Sequence, residues 1–150
     1  MRNTALAILL STVSLGACRA SEGTISEIRR VPAFSSIALN GIGTVRIRQG
    51  QQSVRLTIDH RLADRYETVV KKGKLMIGFT CGSNLFALRA IRKLKNCEVD
   101  ITVPALEGIE LNGQGRIFAD SFPFSELRID LTGAGVIELG GSATELQIRC

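Results

Sequence analysis

Glu110 to Ile117 reads ELNGQGRI, an Asn-Gly step followed two residues later by a second Gly, set between alternating apolar residues. Such a stretch admits three structures: a phosphate cradle, the turn of a β-hairpin, or a corner that a repetitive fold uses again and again. The chain contains two relatives of it. LEGIELNGQGRIFAD from Leu106 is followed by LRIDLTGAGVIELGG from Leu127 and then LQIRC from Leu146. Ile109, Ile129 and Ile148 align, as do Leu111, Leu131 and Cys150, and Ile117 aligns with Ile137. An earlier copy, IALNGIGTVRI, places Ile37, Leu39, Asn40, Gly41, Gly43 and Val45 in the matching positions.

A period of ~20 residues with two-residue apolar alternation inside it is the pattern of stacked β-coils. Aligned aliphatic residues then form interior ladders, with neighbouring strands ~4.8 Å apart. The glycine pairs Gly41/Gly43, Gly113/Gly115 and Gly133/Gly135 are the expected corners, where a positive φ or a side-chain-free approach is needed. One coil cannot bury its own face, so the unit works only as a stack. The expected fold is therefore all-β, a solenoid of coils with Gly-x-Gly corners. An antiparallel sandwich of hairpins is the alternative, since Asn-Gly is a leading type I′ turn signal. The phosphate reading fails because no copy supplies the third glycine of G-x-G-x-x-G, and each runs on into strand alternation instead of a helix.

Outside the repeat the chain also reads as strands, at Ser36–Leu39, Val45–Arg48, Val54–Asp59, Thr68–Val70, Leu75–Phe79 and Glu98–Val103. A helix is expected only within Phe86–Leu94, and the stretch from His60 suits a single turn. With 150 residues, 45% apolar and 22% charged, the chain is one globular domain at most.

The N-terminus belongs to export. Arg2 precedes an apolar run from Ala5 to Leu15, too short for a membrane span of ~20 residues but normal for a signal-peptide core. The run ends in Leu15-Gly16-Ala17-Cys18, which resembles the lipobox of bacterial lipoproteins. That resemblance implies cleavage before Cys18, acylation of Cys18 and durable anchoring by several acyl chains. The expected organisation is a signal peptide over 1–17, a lipidated tether over 18–30 and the domain over 31–150. Arg19 after the cysteine favours the outer membrane of a Gram-negative bacterium, by analogy with sorting rules. In an oxidising compartment Cys81 and Cys97 are expected to form a disulfide. Zinc is the weaker reading, because the chain has one His and no C-x-x-C pair. Cys150 falls inside an unfinished alternation, and the domain is expected to continue past it.

The charge is uneven. From Cys18 to Asn96 there are fifteen basic and five acidic residues, and from Cys97 onward three and nine. Lys71, Lys72, Lys74, Arg89, Arg92, Lys93 and Lys95 form the basic clusters. On an exported protein these point to anionic lipid, lipopolysaccharide phosphate or acidic polysaccharide before nucleic acid. Solvated loops explain the same residues without a ligand.

VPAFSSIALNGIGTVRIRQG, VVKKGKLMIGF, VDITVPALEGIELNGQGRI and LRIDLTGAGVIELGG together resemble the head GIN domain family. The similarity runs from about Val31 to the end and rests on the Gly-x-Gly units and on Ile101–Pro104. It implies an exported, β-helix-like fold carrying an auto-transporter adhesin label, with further repeat units, and with no defined catalytic or binding residue to transfer.

For chemistry, the alignment sets Glu110 beside Asp130 on an outward face, with Arg128 and Arg149 close by. Paired carboxylates suit polysaccharide cleavage. An ordinary charged ladder screened by solvent suits them better. His60 has no nucleophile elbow to serve and reads as a turn residue. Arg46, Arg48 and Arg55 form either a basic face or edge-protecting charges. The sequence thus points to a non-catalytic envelope module without metal or cofactor, binding a polysaccharide, lipopolysaccharide or protein. A carbohydrate-active enzyme and an anionic-polymer binder are the competing readings.

Overall fold

The computed structural model describes residues 23–79 and 97–150. Cys18, Cys81, Arg89, Arg92, Lys93 and Lys95 lie outside them, as do the signal segment and the helix expected within Phe86–Leu94. The described chain is all-β, one curled mixed sheet of eight strands plus a single 3-10 turn at Ala63–Arg65. The strands are β1 (Thr24–Ile28), β2 (Ser36–Gln49), β3 (Ser53–Asp59), β4 (Tyr66–Lys71), β5 (Lys74–Phe79), β6 (Cys97–Val103), β7 (Gly108–Gly133) and β8 (Val136–Arg149). β1 lies inside the stretch read from sequence as tether, where it pairs antiparallel with β3.

β2 organises the sheet. Along its whole inner length it pairs in parallel with β7, Ile37 opposite Ile109, Leu39 opposite Leu111 and Val45 opposite Ile117. On its other side the first half pairs with β5 and the second half with β6, again in parallel. β5 and β6 thus lie end to end along β2, interrupted opposite Gly41–Gly43, and residues 80–96 separate them in sequence. β7 pairs in parallel with β8, Ile117 opposite Ile137 and Ile129 opposite Ile148. Every aligned pair read from the repeat within these registers is a cross-strand pair. The first two copies of the Gly-x-Gly unit therefore lie side by side in parallel within β2 and β7, the third forms the junction of β7 with β8, and none closes a hairpin.

Alternation explains the core. Inward residues from successive strands form ladders such as Ile77–Leu39–Leu111 and Val99–Val45–Ile117, all at 0–1% exposure. Each fully buried aliphatic side chain contributes ~1.5–3 kcal/mol through removal from water. The repeat shortens by one residue where the β7–β8 register shifts between Ala119 and Phe122. Ser121 takes a φ of 50° there, a bulge that bends the strand and brings Phe122 and Phe124 inward as a stacked pair 4.9 Å apart.

Antiparallel strands flank the parallel stack at its N-terminal end. β4 folds back on β5 through Lys72 (φ 51°) and Gly73 (φ 73°), the two positive angles of a type I′ hairpin. β3 pairs antiparallel with β6. At the opposite end β8 has β7 as its single strand partner among the described residues.

Candidate functional site

The glycines of the repeat prove to be packing elements. At Gly113, φ is 134° and an added Cβ would lie 2.6 Å from the carbonyl oxygen of Gly41 on the neighbouring strand. Gly133 repeats the arrangement one coil on, at 2.6 Å from the carbonyl of Gly113. The second glycine of each pair has another cause. A Cβ on Gly115 would meet the Leu39 side chain at 2.5 Å, and one on Gly135 would collide with Leu111. The leucine of one strand fills the space that the glycine of the next leaves open.

An open groove of about 820 Å³ lies where β2, β7 and the Pro104–Glu107 connection meet. Ile37, Leu106 and Ile109 line its apolar part, and Lys74, Glu107, Glu110, Glu126, Arg128 and Asp130 supply its charges. Glu110 and Asp130 do share this groove, as their alignment in the repeat implies. Each also has its own cation. Lys74 Nζ donates to Glu110 Oε2 at 2.6 Å, and Asn112 Nδ2 donates to Glu110 Oε1 at 2.8 Å. Arg149 approaches Asp130 at 3.9 Å, at the outer limit for an ion pair. Asn112 also donates to Asn40 on the adjacent strand at 3.0 Å, so side-chain bonds tie two coils together.

Lys74 reaches Glu110 diagonally across β2 because small residues lie between them. Ser36 faces both Lys74 and Gly108, and Ala38 faces Glu110. The Lys74 ammonium, with Asn112 second, holds the Glu110 carboxyl below the ordinary range. A general acid for glycoside cleavage needs the opposite shift. The sequence offered no local signal for the Lys74–Glu110 pair, since it depends on the parallel register of two strands distant in sequence. Ser35 Oγ donates to Glu107 Oε2 at 2.9 Å and orders the other rim of the groove.

Of the expected basic patch, Lys71, Lys72 and Lys74 fall within the described residues. Lys74 is engaged with Glu110, while Lys71 and Lys72 are exposed at the β4–β5 hairpin. Arg46 and Arg48 on β2 are separated from Arg55 on β3 by β6, whose Glu98 and Asp100 stand between them. Arg46 pairs with Glu98 at 3.1 Å. Of the two readings of these arginines, the basic face gives way to a mixed-charge ladder.

His60 is an exposed turn residue, its Nδ1 3.1 Å from the Gly23 carbonyl oxygen. The neighbouring Arg61 guanidinium donates to Asp59 and lowers that carboxyl to about 2. Cys97 is buried beside Gly43 and the Tyr66 hydroxyl. Burial pushes its thiol up to about 11, and burial likewise raises the Tyr66 phenol. A thiol held protonated is a poor nucleophile. Cys97 forms no disulfide among the described residues, and Cys81, its expected partner, lies outside them. Among the described residues no group of three His, Cys, Asp or Glu is placed to hold a metal.

The sequence model of a family described as "Putative auto-transporter adhesin, head GIN domain" matches residues 33–150. No curated protein matches the chain. Among solved structures, a "putative adhesin" from Bacteroides fragilis NCTC 9343 superposes with a TM-score of 0.75 at 19% identity, covering 85% of this chain and 58% of that one. A "putative lipid binding protein" from Parabacteroides distasonis ATCC 8503 gives 0.60 at 16% identity, covering 85% and 61%. A "putative adhesin" from Parabacteroides merdae ATCC 43184 gives 0.59 at 15% identity, covering 85% and 59%. At these identities the likeness is one of fold, and the chain spans less than two thirds of each neighbour's length.

Proposed function

The chain belongs to the head GIN domain family, and from that premise we propose that it is a non-catalytic, adhesin-like module of the cell envelope. The single observation that carries the reading is the use made of the repeat. Its glycines and aliphatic residues are consumed by packing between parallel strands, leaving outward faces of polar and charged side chains as the surface on which a partner can act. In this reading the parallel stack is a segment of β-solenoid, and its long ladder presents repeated side chains at strand spacing to a polymer or protein. The lipobox-like Leu15–Cys18 supports export and anchoring through Cys18, with the outer membrane as destination. The Cys81–Cys97 disulfide would close the neck of the 80–96 connection.

The carbohydrate-active alternative rests on Glu110 and Asp130. The depressed Glu110 carboxyl weighs against it, because that group stays ionised at the pH where a proton donor is required. Binding of an anionic polymer would fall to Lys71 and Lys72, together with Arg89, Arg92, Lys93 and Lys95. Such binding weakens steeply with added salt.

Protease treatment of intact cells, with and without Cys18→Ala, tests the proposal. An adhesin-like surface module is degraded on intact cells, and the Cys18→Ala protein leaves the membrane fraction. Complete protection of the native protein on intact cells would remove the adhesion reading.

A further inference from the structure

We propose that the face built by the His60–Arg65 corner, β4 and the Lys71–Lys72 turn rests on an anionic phospholipid surface, that of the membrane in which Cys18 is anchored. The inference rests on the anchoring of Cys18 stated above, and adds the orientation that the anchored domain takes.

The tether supplies the first argument. Gly23 lies five residues after Cys18, and five residues of fully extended chain span ~18 Å at most. The far end of that span is fixed in the fold. The carbonyl oxygen of Gly23 accepts the His60 backbone N–H at 2.7 Å, and His60 Nδ1 lies 3.1 Å from the same oxygen. Thr24 then enters β1 opposite Asp59 of β3. The corner is itself braced, because the Asp59 carboxylate accepts the Arg61 backbone N–H at 3.0 Å and its guanidinium at 3.1 and 2.9 Å. The 3-10 turn at Ala63–Arg65 leads directly into β4. A short tether therefore ends on a rigid corner and keeps that corner close to the acylated residue.

Charge supplies the second argument. Residues 23–35 and 53–72, which include β1, β3, the corner and β4, carry seven basic and four acidic side chains. Residues 108–150, which include β7 and β8 on the other side of β2, carry three basic and six acidic ones. The side where the tether enters is thus the positive one. Two of its seven cations are neutralised locally, Arg29 by Glu27 and Arg61 by Asp59, each at 2.9 Å. Arg65 at the corner and Lys71 and Lys72 at the turn are exposed. Exposed Val69 lies between them on β4. Anionic headgroups attract such a face over about one Debye length, ~8–10 Å. The anchor adds a high effective concentration, so a weak attraction suffices to orient the domain. In that orientation β7 and β8 are held away from the bilayer.

Fluorescence quenching on vesicles tests the inference. The lipidated protein carries a fluorescent unnatural amino acid at Val69 on β4 or at Ser142 on β8, both exposed. It is reconstituted into vesicles of phosphatidylglycerol and phosphatidylcholine with a short-range quencher on the headgroups. The Val69 probe is expected to be quenched at least ~2-fold more strongly than the Ser142 probe. The difference should vanish in vesicles of phosphatidylcholine alone, and in a variant combining Arg65→Glu, Lys71→Glu and Lys72→Glu. Circular dichroism of that variant separates loss of orientation from loss of fold. Equal quenching of the two probes would overturn the proposal, as would a difference that survives on phosphatidylcholine or in the folded variant. Flotation of cell membranes, with Cys18→Ala as control, distinguishes this failure from failure of the anchor. A native protein that does not float removes the anchor and the orientation together, whereas a floating protein with equally quenched probes removes the orientation alone.

Discussion

Gly113 shows how a residue that looks chemical can be structural. Its positive φ and the carbonyl of Gly41 close to its missing Cβ are separate obstacles to any side chain. Gly41 has a similar φ of 115° but nothing within 4 Å of an added Cβ. Gly41→Ala should therefore lose only the backbone strain, ~1–3 kcal/mol. Gly113→Ala should lose more, because a neighbouring strand must also move. Chemical denaturation of the two variants checks the order. Glu110 makes a different prediction. Its carboxyl is depressed by Lys74 and Asn112, so its contribution is present above the ordinary carboxylate range and is lost as pH falls through the lowered value. The side chain is 31% exposed, and solvent screening limits the effect to ~1 kcal/mol or less. Glu110→Gln should flatten that part of the acid limb of the stability–pH curve and leave the rest unchanged.

The strands separate what alternation alone reveals from what register adds. Ile109, Leu111 and Ile117 were legible as inward residues because alternation is a local property, and their alignment with Ile37, Leu39 and Val45 followed from the repeat. The partners of β5 and β6 were not legible, because residues 80–96 divide that coil and hide its period. KKGK read as a basic cluster, yet Lys72-Gly73 forms the tight turn of a hairpin and Lys74 leaves the cluster to pair with Glu110. The choice between the two readings of Arg46, Arg48 and Arg55 was hidden for the same reason, since β6 enters between β3 and β2 only in the folded sheet. Register also grades the core. Leu111 is fully buried between neighbouring coils, and Leu111→Ala should cost ~2–5 kcal/mol. Ile148 on β8 is 62% exposed, and Ile148→Ala should cost well under half as much, as urea melts of both variants would show.

Among the described residues, antiparallel strands flank a parallel stack built from β2, β7 and β8. The repeated glycines let successive parallel strands approach closely, and the leucines fill the space above them. A nucleotide cradle or a set of hairpins would use the same glycines differently, and the difference is one of strand direction and register. Backbone NOE spectroscopy on labelled protein reads that directly. Parallel, in-register contacts are predicted between Leu39 and Leu111, and between Ile117 and Ile137. Antiparallel contacts closing across Gly113 or Gly133 would contradict the account.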